Sequence, residues 1–328
     1  MRIAVAILNW NGAELLKTFL PAVLEHSRAA EVYVIDNASD DGSVELLRHD
    51  FPTVKLIEHA ENLGFTGGYN QAMSQIDAEV VCLLNSDVEV TAGWLDKVQQ
   101  VFADEKVAAM QPKILDYYKR NFFEYAGAGG GMMDNFGYPY CRGRVFWTLE
   151  EDLEQYDDTL EVFWASGACM FVRKEYFLAM GGFEERFFAH MEEIDLCWRW
   201  KNKGFKIIYC GAAKVYHMGG ATIPVKSPHK TFLNFRNNLW MLLRNLPKRK
   251  VLPVIFQRLV LDGIAAVVFL RYEGVAHFTA IVRAHFAFYA GAGYFWKSRQ
   301  RTVYRFYKHR FVPWQYFILQ KKYFRKLY

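Results

Sequence analysis

The sequence predicts an α/β fold built on a largely parallel sheet. Four short runs rich in Val, Ile and Leu occupy residues 3–9, 31–36, 54–58 and 80–85. They show little polar–apolar alternation, which is typical of strands buried on both faces. Amphipathic stretches at 13–26, 42–49 and 68–76 separate these runs. A βαβα order of this kind favours a parallel sheet flanked by helices.

A polar cluster follows three of the four predicted strands. The clusters are NWNG after the first strand, DNASDDGS at the end of the second and NSD at the end of the fourth. Turn formation alone explains Asn, Ser and Asp in such places. However, the carboxyl ends of parallel strands share one edge of the sheet, where open α/β sheets bind ligands. We therefore regard the clusters, and Asp87 in particular, as candidates for a ligand site.

The middle of the chain is less regular. Residues 127–147 are rich in Gly and aromatic residues, and we expect them to form a long loop over the same edge. A strand and a helix are predicted at 168–183, with the helix stopping at Gly181 and Gly182. A further helix is predicted from about residue 190 to 204, followed by two short strands that end at His217.

The composition favours a globular protein of a reducing cytoplasm. Of the 328 residues, 52% are hydrophobic and 23% are charged, which suits one large core. The five cysteines are odd in number and form no CxxC pair, so we expect buried thiols rather than disulfides or zinc ligands. The first strand begins without the pattern of a secretory signal, and a cytoplasmic location is therefore expected.

Charge is distributed unevenly along the chain. From Arg244 onward there are 17 Lys and Arg residues and two acidic residues, whereas the preceding part has 23 basic and 33 acidic residues. The basic residues of this tail are interleaved with Phe, Tyr and Trp. This pattern suggests that the tail faces a polyanionic partner. Its uncharged stretches are expected to be too short to span a bilayer.

An acidic pair opens the helix predicted near residue 190. Glu193 continues an apolar stripe formed by Leu196, Cys197 and Trp200, whereas Glu192 lies on the other face. Acidic residues favour the first turn of any helix because of its dipole. A carboxylate on a buried stripe is also desolvated, which raises its pKa toward the range of a general base. Glu193 is therefore the better base candidate of the two.

His217 leaves two interpretations open. A single histidine is most often a core or surface residue without a special role. Imidazole is also the commonest metal ligand among protein side chains, and this residue lies at the end of a strand. Spacing alone does not choose between the two.

Seven motifs occur in an order that resembles the inverting family 2 glycosyltransferases of the GT-A fold. They span roughly residues 1–240 and read ILNWNG, VIDNASDDGS, NLGFTGGYN, LLNSDVEV, SGACMFVRKEYFLAMGGFEERFF, MEEIDLCWR and VYHMGG. The chain is most similar to bacterial rhamnosyltransferase-like enzymes of surface polysaccharide assembly. The resemblance implies a Rossmann-like mixed sheet that binds a nucleotide-diphospho-sugar, flanked by helices. It also implies a catalytic domain at 1–245 and a mainly helical basic extension at 246–328.

The resemblance implies binding roles for individual residues. Asp87 matches the last aspartate of the family's metal motif, and His217 matches a histidine that completes the metal site, so the implied cofactor is Mg²⁺ or Mn²⁺. Asn85 and Ser86 stand where other members carry further aspartates, which leaves Asp87 as the side-chain ligand there. Asp36 matches the aspartate that contacts the nucleotide base. The full set of implied donor-binding residues is Asn9, Asp36, Asn62, Gly64, Asn70 and Asp87.

The resemblance also implies the reaction. Glu193 falls on the catalytic base of the family's acidic pair, with Glu192 beside it. A sugar such as rhamnose is expected to move, with inversion, from a nucleotide-diphosphate donor to a hydroxyl of a glycan, lipid-linked acceptor in cell-wall or O-antigen type synthesis. Two rivals are a catalytically inactive sugar-nucleotide-binding module and a dinucleotide-dependent oxidoreductase. The second is disfavoured because NWNGAE after the first strand lacks the GxGxxG fingerprint.

Three interpretations of the basic tail compete. We favour an interfacial segment on anionic lipid at the inner face of the cell membrane. The second interpretation is a solvated helical subdomain packed on the catalytic domain. The third is a nucleic-acid surface with stacking aromatic residues, and we expect no nucleic-acid binding. On the first interpretation, a chain ending at Asn245 is expected to stay soluble and to bind donor.

Overall fold

The computed structural model describes residues 1–219, 227–300, 307 and 311–327. The strands in these ranges are β1 Ile3–Asn9, β2 Glu31–Asp36, β3 Lys55–Glu58, β4 Val80–Asn85, β5 Val88–Val90, β6 Val107–Asp116, β7 Gly131–Met133, β8 Pro139–Cys141, β9 Arg144–Val145, β10 Thr148–Leu149, β11 Thr159–Val162, β12 Cys169–Arg173 and β13 Lys206–His217. The helices are α1 Ala13–His26, α2 Ser43–Asp50, α3 Gly64–Met73, α4 Val98–Phe102, α5 Lys174–Ala179, α6 Glu192–Asn202, α7 Pro228–Asn245, α8 Lys248–Tyr272 and α9 Val275–Lys297. Single turns of other helix types lie at Glu185–Phe187, Trp314–Ile318 and Phe324–Lys326.

The main sheet is mixed, and its first half has the predicted parallel order. The strand order is β11-β13-β6-β12-β4-β1-β2-β3, with β5 paired to β13. Strands β3, β2, β1 and β4 are parallel, whereas β12 is antiparallel to both β4 and β6. The bounds of β1, β2 and β4 are those expected from the apolar runs. The predicted fold class, a mixed sheet flanked by helices with a helical C-terminal extension, is confirmed.

The hydrophobic core lies on both faces of this sheet. Along β1, Ala4 and Ala6 pack into the cluster on one face, and Val5 and Ile7 pack into the cluster on the other. This alternation follows from the pleat, because successive side chains of a strand point to opposite faces. Burial on both faces explains why the strand reads as a continuous apolar run.

The expectation of a long loop at 127–147 is wrong. This segment forms strands β7, β8 and β9, which join β10 in a small antiparallel sheet. Gly137 and Gly143 adopt positive φ angles of 78° and 80°, which permit the tight connections of such short strands. At Gly131 a Cβ atom would lie 2.1 Å from the Trp164 ring, so close packing requires glycine there. The glycines therefore serve turns and packing in a sheet.

The strand that leads to His217 is also longer than predicted. The sequence indicates two short strands, but Lys206–His217 is one strand paired parallel to β6. The pairing register shifts between Cys210 and Lys214, which is where a break between two strands is expected from the sequence. Pairing with β6 overrides the local irregularity.

The described part of the tail packs on the preceding part of the chain. Phe295 of α9 stacks on Trp240 of α7 at 4.7 Å and lies 5.6 Å from Phe187, measured between ring centroids. The Trp240 indole N–H donates to the carbonyl of Phe288 at 3.1 Å. Tail residues belong to the same hydrophobic cluster as the sheet. This packing argues against the expectation that a chain ending at Asn245 stays soluble. Residues 301–306, 308–310 and 328 of the tail lie outside the described residues.

Helix α8 corrects a second expectation about the tail. It is the one helix of the described residues that is long and apolar enough to cross a membrane, by length and composition only. Arg258 and Asp262 were expected to interrupt the apolar run, but both side chains are buried against the protein. Arg258 donates to the carbonyl of Gly137 at 3.2 Å and to the side chain of Asn238 at 2.6 Å. One face of α8 therefore belongs to the core.

Phe295→Ala should destabilise the whole protein, because the ring is fully buried between α7 and the 185–187 turn. We expect the free energy of unfolding to fall by about 3–5 kcal/mol. Phe286→Ala on the same helix is the matched control, since that ring is 71% exposed, and it should change the value by less than about 0.5 kcal/mol. Urea unfolding measures both. Equal small effects would mean that α9 does not pack on the sheet domain in solution.

Candidate active site at the carboxyl edge of the sheet

Two of the predicted donor-binding residues meet at the ends of adjacent strands. The register of β1 and β2 places Asn9 opposite Asp36, and the Asn9 amide donates to Asp36 Oδ1 at 3.1 Å. Asp36 Oδ2 accepts the backbone N–H of Ser39 at 2.9 Å, which orients the carboxylate. Both side chains are buried. The side-chain oxygen of Asn9, Oδ1, is buried without a partner among the described residues, so it is available as an acceptor.

A neighbouring amide that the sequence analysis did not select joins this edge to α3. Asn37 follows Asp36 and donates to Asn62 Oδ1 at 2.9 Å and to the carbonyl of Gly64 at 3.1 Å. The Asn62 side chain in turn accepts the N–H of Gly64 at 2.9 Å. Predicted residues Asn62 and Gly64 therefore lie beside Asp36. Only its position next to Asp36 in the sequence gave a signal for Asn37.

Asn70, also predicted to shape the donor pocket, faces a different part of the chain. Its side-chain amide donates to the carbonyl of Phe183 at 2.9 Å and accepts the Phe183 N–H at 2.8 Å. It also donates to the Glu185 carboxylate at 3.1 Å. The Asn70 side chain therefore connects α3 to the segment that leads to α6.

Asp87 and His217 come together because β5 pairs with β13. This pairing places His217 opposite Val88, and His217 Nε2 lies 3.2 Å from Asp87 Oδ1. The other ring nitrogen lies 3.2 Å from the carboxylate of Glu124. All three side chains are buried. Glu124 was missed by the sequence analysis, because nothing in its local sequence places it beside a residue 93 positions later.

The two carboxylates control the protonation of His217. Burial alone would lower the pKa of the imidazole, but Glu124 and Asp87 outweigh burial and raise the pKa to about 10. Burial likewise opposes ionisation of Asp87, yet the hydrogen bond and charge of His217 bring its pKa below the ordinary value. The stability gained from His217 is therefore present below pH 6.5 and is lost as pH rises through about 10. The Asp87 contribution is lost as pH falls through its lowered pKa.

The acidic pair opens α6, as predicted, but not for the reason given by the helix faces. Glu192 is only 4% exposed, and every residue from Ile194 to Asn202 is buried. Because α6 is surrounded by protein, no apolar stripe distinguishes Glu193 from Glu192. Each of the two carboxylates has one buried oxygen, Oε2, without a hydrogen-bond partner in the described residues.

The pKa values distinguish Glu193 from Glu192 more clearly than their positions on the helix do. Burial raises the pKa of Glu193 to about 7. Burial also raises the pKa of Glu192 well above its ordinary value, and the neighbouring Glu193 charge raises it further. Both carboxyl groups are therefore harder to ionise than an ordinary glutamate, and the pKa of Glu193 lies near a neutral working pH. A carboxylate with a pKa near the working pH and a free oxygen suits proton abstraction.

Comparison with known proteins finds a family match for the strands that carry this edge. Residues 4–129, from Ala4 of β1 to beyond β6, match the model of glycosyl transferase family 2. This part of the chain is therefore similar to family 2 glycosyl transferases. This match includes Asn9, Asp36, Asp87 and Glu124, whereas the acidic pair and His217 lie beyond it.

Two relatives extend the similarity beyond residues 4–129. A rhamnosyltransferase of Mycobacterium tuberculosis that acts on N-acetylglucosaminyl-diphospho-decaprenol is 28% identical over 231 residues, or 65% of this chain and 75% of the relative. A low-salt glycan biosynthesis hexosyltransferase of Haloferax volcanii is 24% identical over 245 residues, or 72% of this chain and 73% of the relative. Both lengths exceed the part matched by the family model.

Solved structures support the GT-A fold. A mannosyltransferase of Pyrobaculum calidifontis, solved in complex with GDP-Man and Mn²⁺, superposes with a TM-score of 0.53. The superposition covers 88% of this chain and 87% of the mannosyltransferase at 16% sequence identity. The similarity of fold therefore extends over most of the chain.

Proposed function

We propose that the protein is an inverting glycosyltransferase that moves a sugar from a nucleotide-diphosphate donor to a hydroxyl of a glycan acceptor. The observation that carries the proposal is the Glu193 carboxylate, which has a buried unpartnered oxygen and a pKa of about 7. An acceptor hydroxyl is a poor nucleophile until a base removes its proton. The match of residues 4–129 to the glycosyl transferase family 2 model supports the proposal.

In the proposed reaction, the acceptor oxygen forms a bond to the anomeric carbon as the bond from that carbon to the donor phosphate breaks. The nucleoside diphosphate leaves with the bonding electrons, and the acceptor proton passes to Glu193. Attack opposite the leaving group inverts the configuration. Burial and the neighbouring Glu193 charge raise the pKa of Glu192, which disfavours a second negative charge beside the base. Asn9, Asp36, Asn62 and Gly64 are proposed to hold the nucleoside, with Asn70 supporting the pocket from α3.

Asp87 and His217 are proposed to hold Mg²⁺ or Mn²⁺. Their facing atoms are 3.2 Å apart, close to the separation expected of neighbouring ligands about 2.1 Å from one ion. Among the described residues, no group of three or more His, Cys, Asp or Glu side chains has an arrangement that could hold a metal ion. A two-residue set still fits, because Mg²⁺ usually takes one or two carboxylates and completes its shell with water and substrate phosphate. When bound, the ion stabilises charge on the departing diphosphate. Glu124 would orient the imidazole from its other nitrogen.

The donor sugar and the acceptor are proposed from the relatives. The mycobacterial relative transfers rhamnose to a sugar carried on decaprenol diphosphate. A further relative, from Myxococcus xanthus, is an O-antigen biosynthesis protein, 25% identical over 64% of this chain but only 16% of the relative. We therefore propose a deoxyhexose such as rhamnose as the transferred sugar and a lipid-linked glycan as the acceptor, in surface polysaccharide synthesis.

The exposed face of α8 supports peripheral attachment to an anionic membrane surface. Leu252, Phe256, Val260, Ile264 and Val267 recur every three or four residues, and each is at least half exposed. A helix with one such apolar face can lie in the interfacial plane of a bilayer. The face opposite to it is held in the protein core, so attachment and packing are compatible.

Charge and aromatic residues favour the same partner. The exposed basic residues Lys248, Arg249 and Arg271 lie near the two ends of α8, where they can reach anionic headgroups. Helix α9 adds exposed Phe286 and Tyr289. We propose that the protein works in the cytoplasm on the inner face of the cell membrane, where a lipid-linked acceptor lies.

Glu193→Gln should reduce turnover by at least about 100-fold while donor affinity stays within about twofold, because the amide binds no proton. In the unmodified protein, kcat should rise with pH through about 7. Nucleotide release from a panel of sugar nucleotides, with and without a lipid-linked acceptor, measures turnover, and calorimetry measures binding.

Glu175→Gln is the control for this experiment, since that side chain is exposed on α5 and should leave turnover unchanged. Full activity of Glu193→Gln together with inactivity of Glu192→Gln would move the base to Glu192. Donor binding without transfer to any acceptor would instead favour an inactive sugar-nucleotide-binding module.

Metal binding should remove the proton from His217. Without metal, NMR titration should find a pKa near 10 for the imidazole, and Asp87→Asn should lower it. Addition of Mg²⁺ with UDP, GDP or dTDP should bring the ring to its neutral form at pH 7, because an imidazole must be deprotonated to bind a metal. The His49 signal is the internal control, since this ring is exposed on α2. A His217 signal indifferent to Mg²⁺ would contradict the metal site.

Phe256→Glu should weaken sedimentation with anionic liposomes, because it places a charge on the exposed apolar face of α8. Gln257→Glu adds the same charge to the neighbouring exposed position and is the matched control. Raised salt should release only part of the protein, since salt screens the basic residues but not apolar burial. Equal binding of the unmodified protein to neutral and anionic vesicles would contradict the electrostatic part of the proposal.

A further inference from the structure

The turn that precedes α6 has an unusual backbone. Phe188, His190 and Met191 have φ angles of 65°, 71° and 73°, and none of them is glycine. Residues with a Cβ atom rarely adopt this left-handed region, and a backbone held there requires support from its surroundings. Met191 is the residue at which α6 begins, immediately before Glu192. The conformation of this turn therefore determines where the acidic pair lies.

One buried amide on α7 holds the turn. The Asn237 side-chain nitrogen lies 3.0 Å from the carbonyl oxygen of Phe187 and 2.8 Å from those of Ala189 and His190. Two N–H hydrogens thus serve three carbonyls that converge on one point. The side-chain oxygen of Asn237, Oδ1, accepts a hydrogen bond from Arg236 Nε at 2.9 Å, which fixes the orientation of the amide.

The other side of the turn contacts the predicted donor pocket. The Phe188 carbonyl accepts the backbone N–H groups of Phe65 and Thr66 at the start of α3, at 3.0 and 3.3 Å. The Phe188 ring covers Gly64, where a Cβ atom would lie 2.5 Å from it. The turn is therefore held between α7 on one side and α3 on the other.

We propose that Asn237 is a positioning residue for the acidic pair. It holds residues 187–191 in the conformation from which Glu192 and Glu193 open α6, in a turn that also contacts the start of α3. The inference rests on the proposed function where it treats Glu193 as the catalytic base. The position of the Glu193 carboxylate does not depend on that function. Asn237 itself takes no part in binding or proton transfer.

A positioning role predicts an effect on chemistry beyond any loss of stability. Without the Asn237 amide, the carbonyls of Ala189 and His190 lose this donor, whereas the Phe187 carbonyl keeps Arg236 at 3.3 Å. The turn can then relax toward ordinary φ angles and carry the acidic pair with it. A displacement of about 1 Å at a reacting group can cost about 100-fold in rate. Entry of water beside the carboxylates would also reduce the desolvation that raises their pKa values.

Asn237→Ala tests the proposal, with Asn234→Ala as the matched control. The Asn234 amide bonds only to the carbonyl of Lys230, one turn away in its own helix, among the described contacts. We expect Asn237→Ala to lower kcat by about 100-fold, to leave donor KM within about twofold and to shift the rising limb of the pH profile below pH 7. Asn234→Ala should do none of these. Asn237→Ser, which retains one donor, should recover part of kcat and takes the place of the alanine variant if that variant does not fold.

A second readout does not depend on turnover. NMR titration of ¹³C-carboxyl-labelled glutamate, assigned with Glu192→Gln and Glu193→Gln, should place the Glu193 pKa near 7 in the unmodified protein and lower in Asn237→Ala. If no sugar nucleotide supports transfer, the proposed function fails while this titration still tests the position of the pair. An unchanged carboxyl titration, or a folded Asn237→Ala with the kcat and pH profile of the control, would overturn the proposal.

Discussion

The arrangement of the site depends on the pairing of one fully buried carboxylate, Asp195 of α6. It accepts from Arg199 of the same helix at 2.8 Å and from Arg244 and Asn245 of α7 at 3.2 and 2.6 Å. Removing one partner of a buried ion pair typically costs about 3–5 kcal/mol, because the remaining charge is left uncompensated. Separation of α6 from α7 would therefore cost several kcal/mol, about the energy of this broken pair. The Asp195 pairing therefore fixes α6 against α7, and with it the helix that the acidic pair opens.

Much of the sheet edge could be predicted from the sequence, because its signals are local. The apolar runs of β1, β2 and β4 end on or just before polar clusters, so Asp87 was selected from its position, and the family resemblance assigned roles to Asn9 and Asp36 in the other two clusters. Glu124 and Asn237 were not found, because they reach the site through contacts with residues far away in the chain. The helix-face argument for Glu193 failed for a related reason: an amphipathic pattern does not reveal that a helix is covered on every side.

The turn before α6 shows where local preference yields to tertiary structure. The left-handed conformation costs about 1–2 kcal/mol at each of its three residues because of local steric clashes. No glycine in the turn indicates this conformation from the sequence. The cost is offset by hydrogen bonds from α7 and α3, two elements that are distant in the sequence. The Gly-rich segment 127–147 is the opposite case, since glycines that suggested a loop instead permit a tightly packed small sheet.

The inward-facing charges of α8 have a topological consequence. Arg258 is held by the carbonyl of Gly137 and by Asn238, and Asp262 lies beside it. Threading this helix through a bilayer would carry both groups away from their partners into hydrocarbon, where charged side chains are expensive. Because α9 packs back along α7, the first and last residues of α8 stay with the same protein surface. A helix whose composition alone would be read as a transmembrane anchor therefore keeps both of its ends on one side of any membrane that the protein contacts.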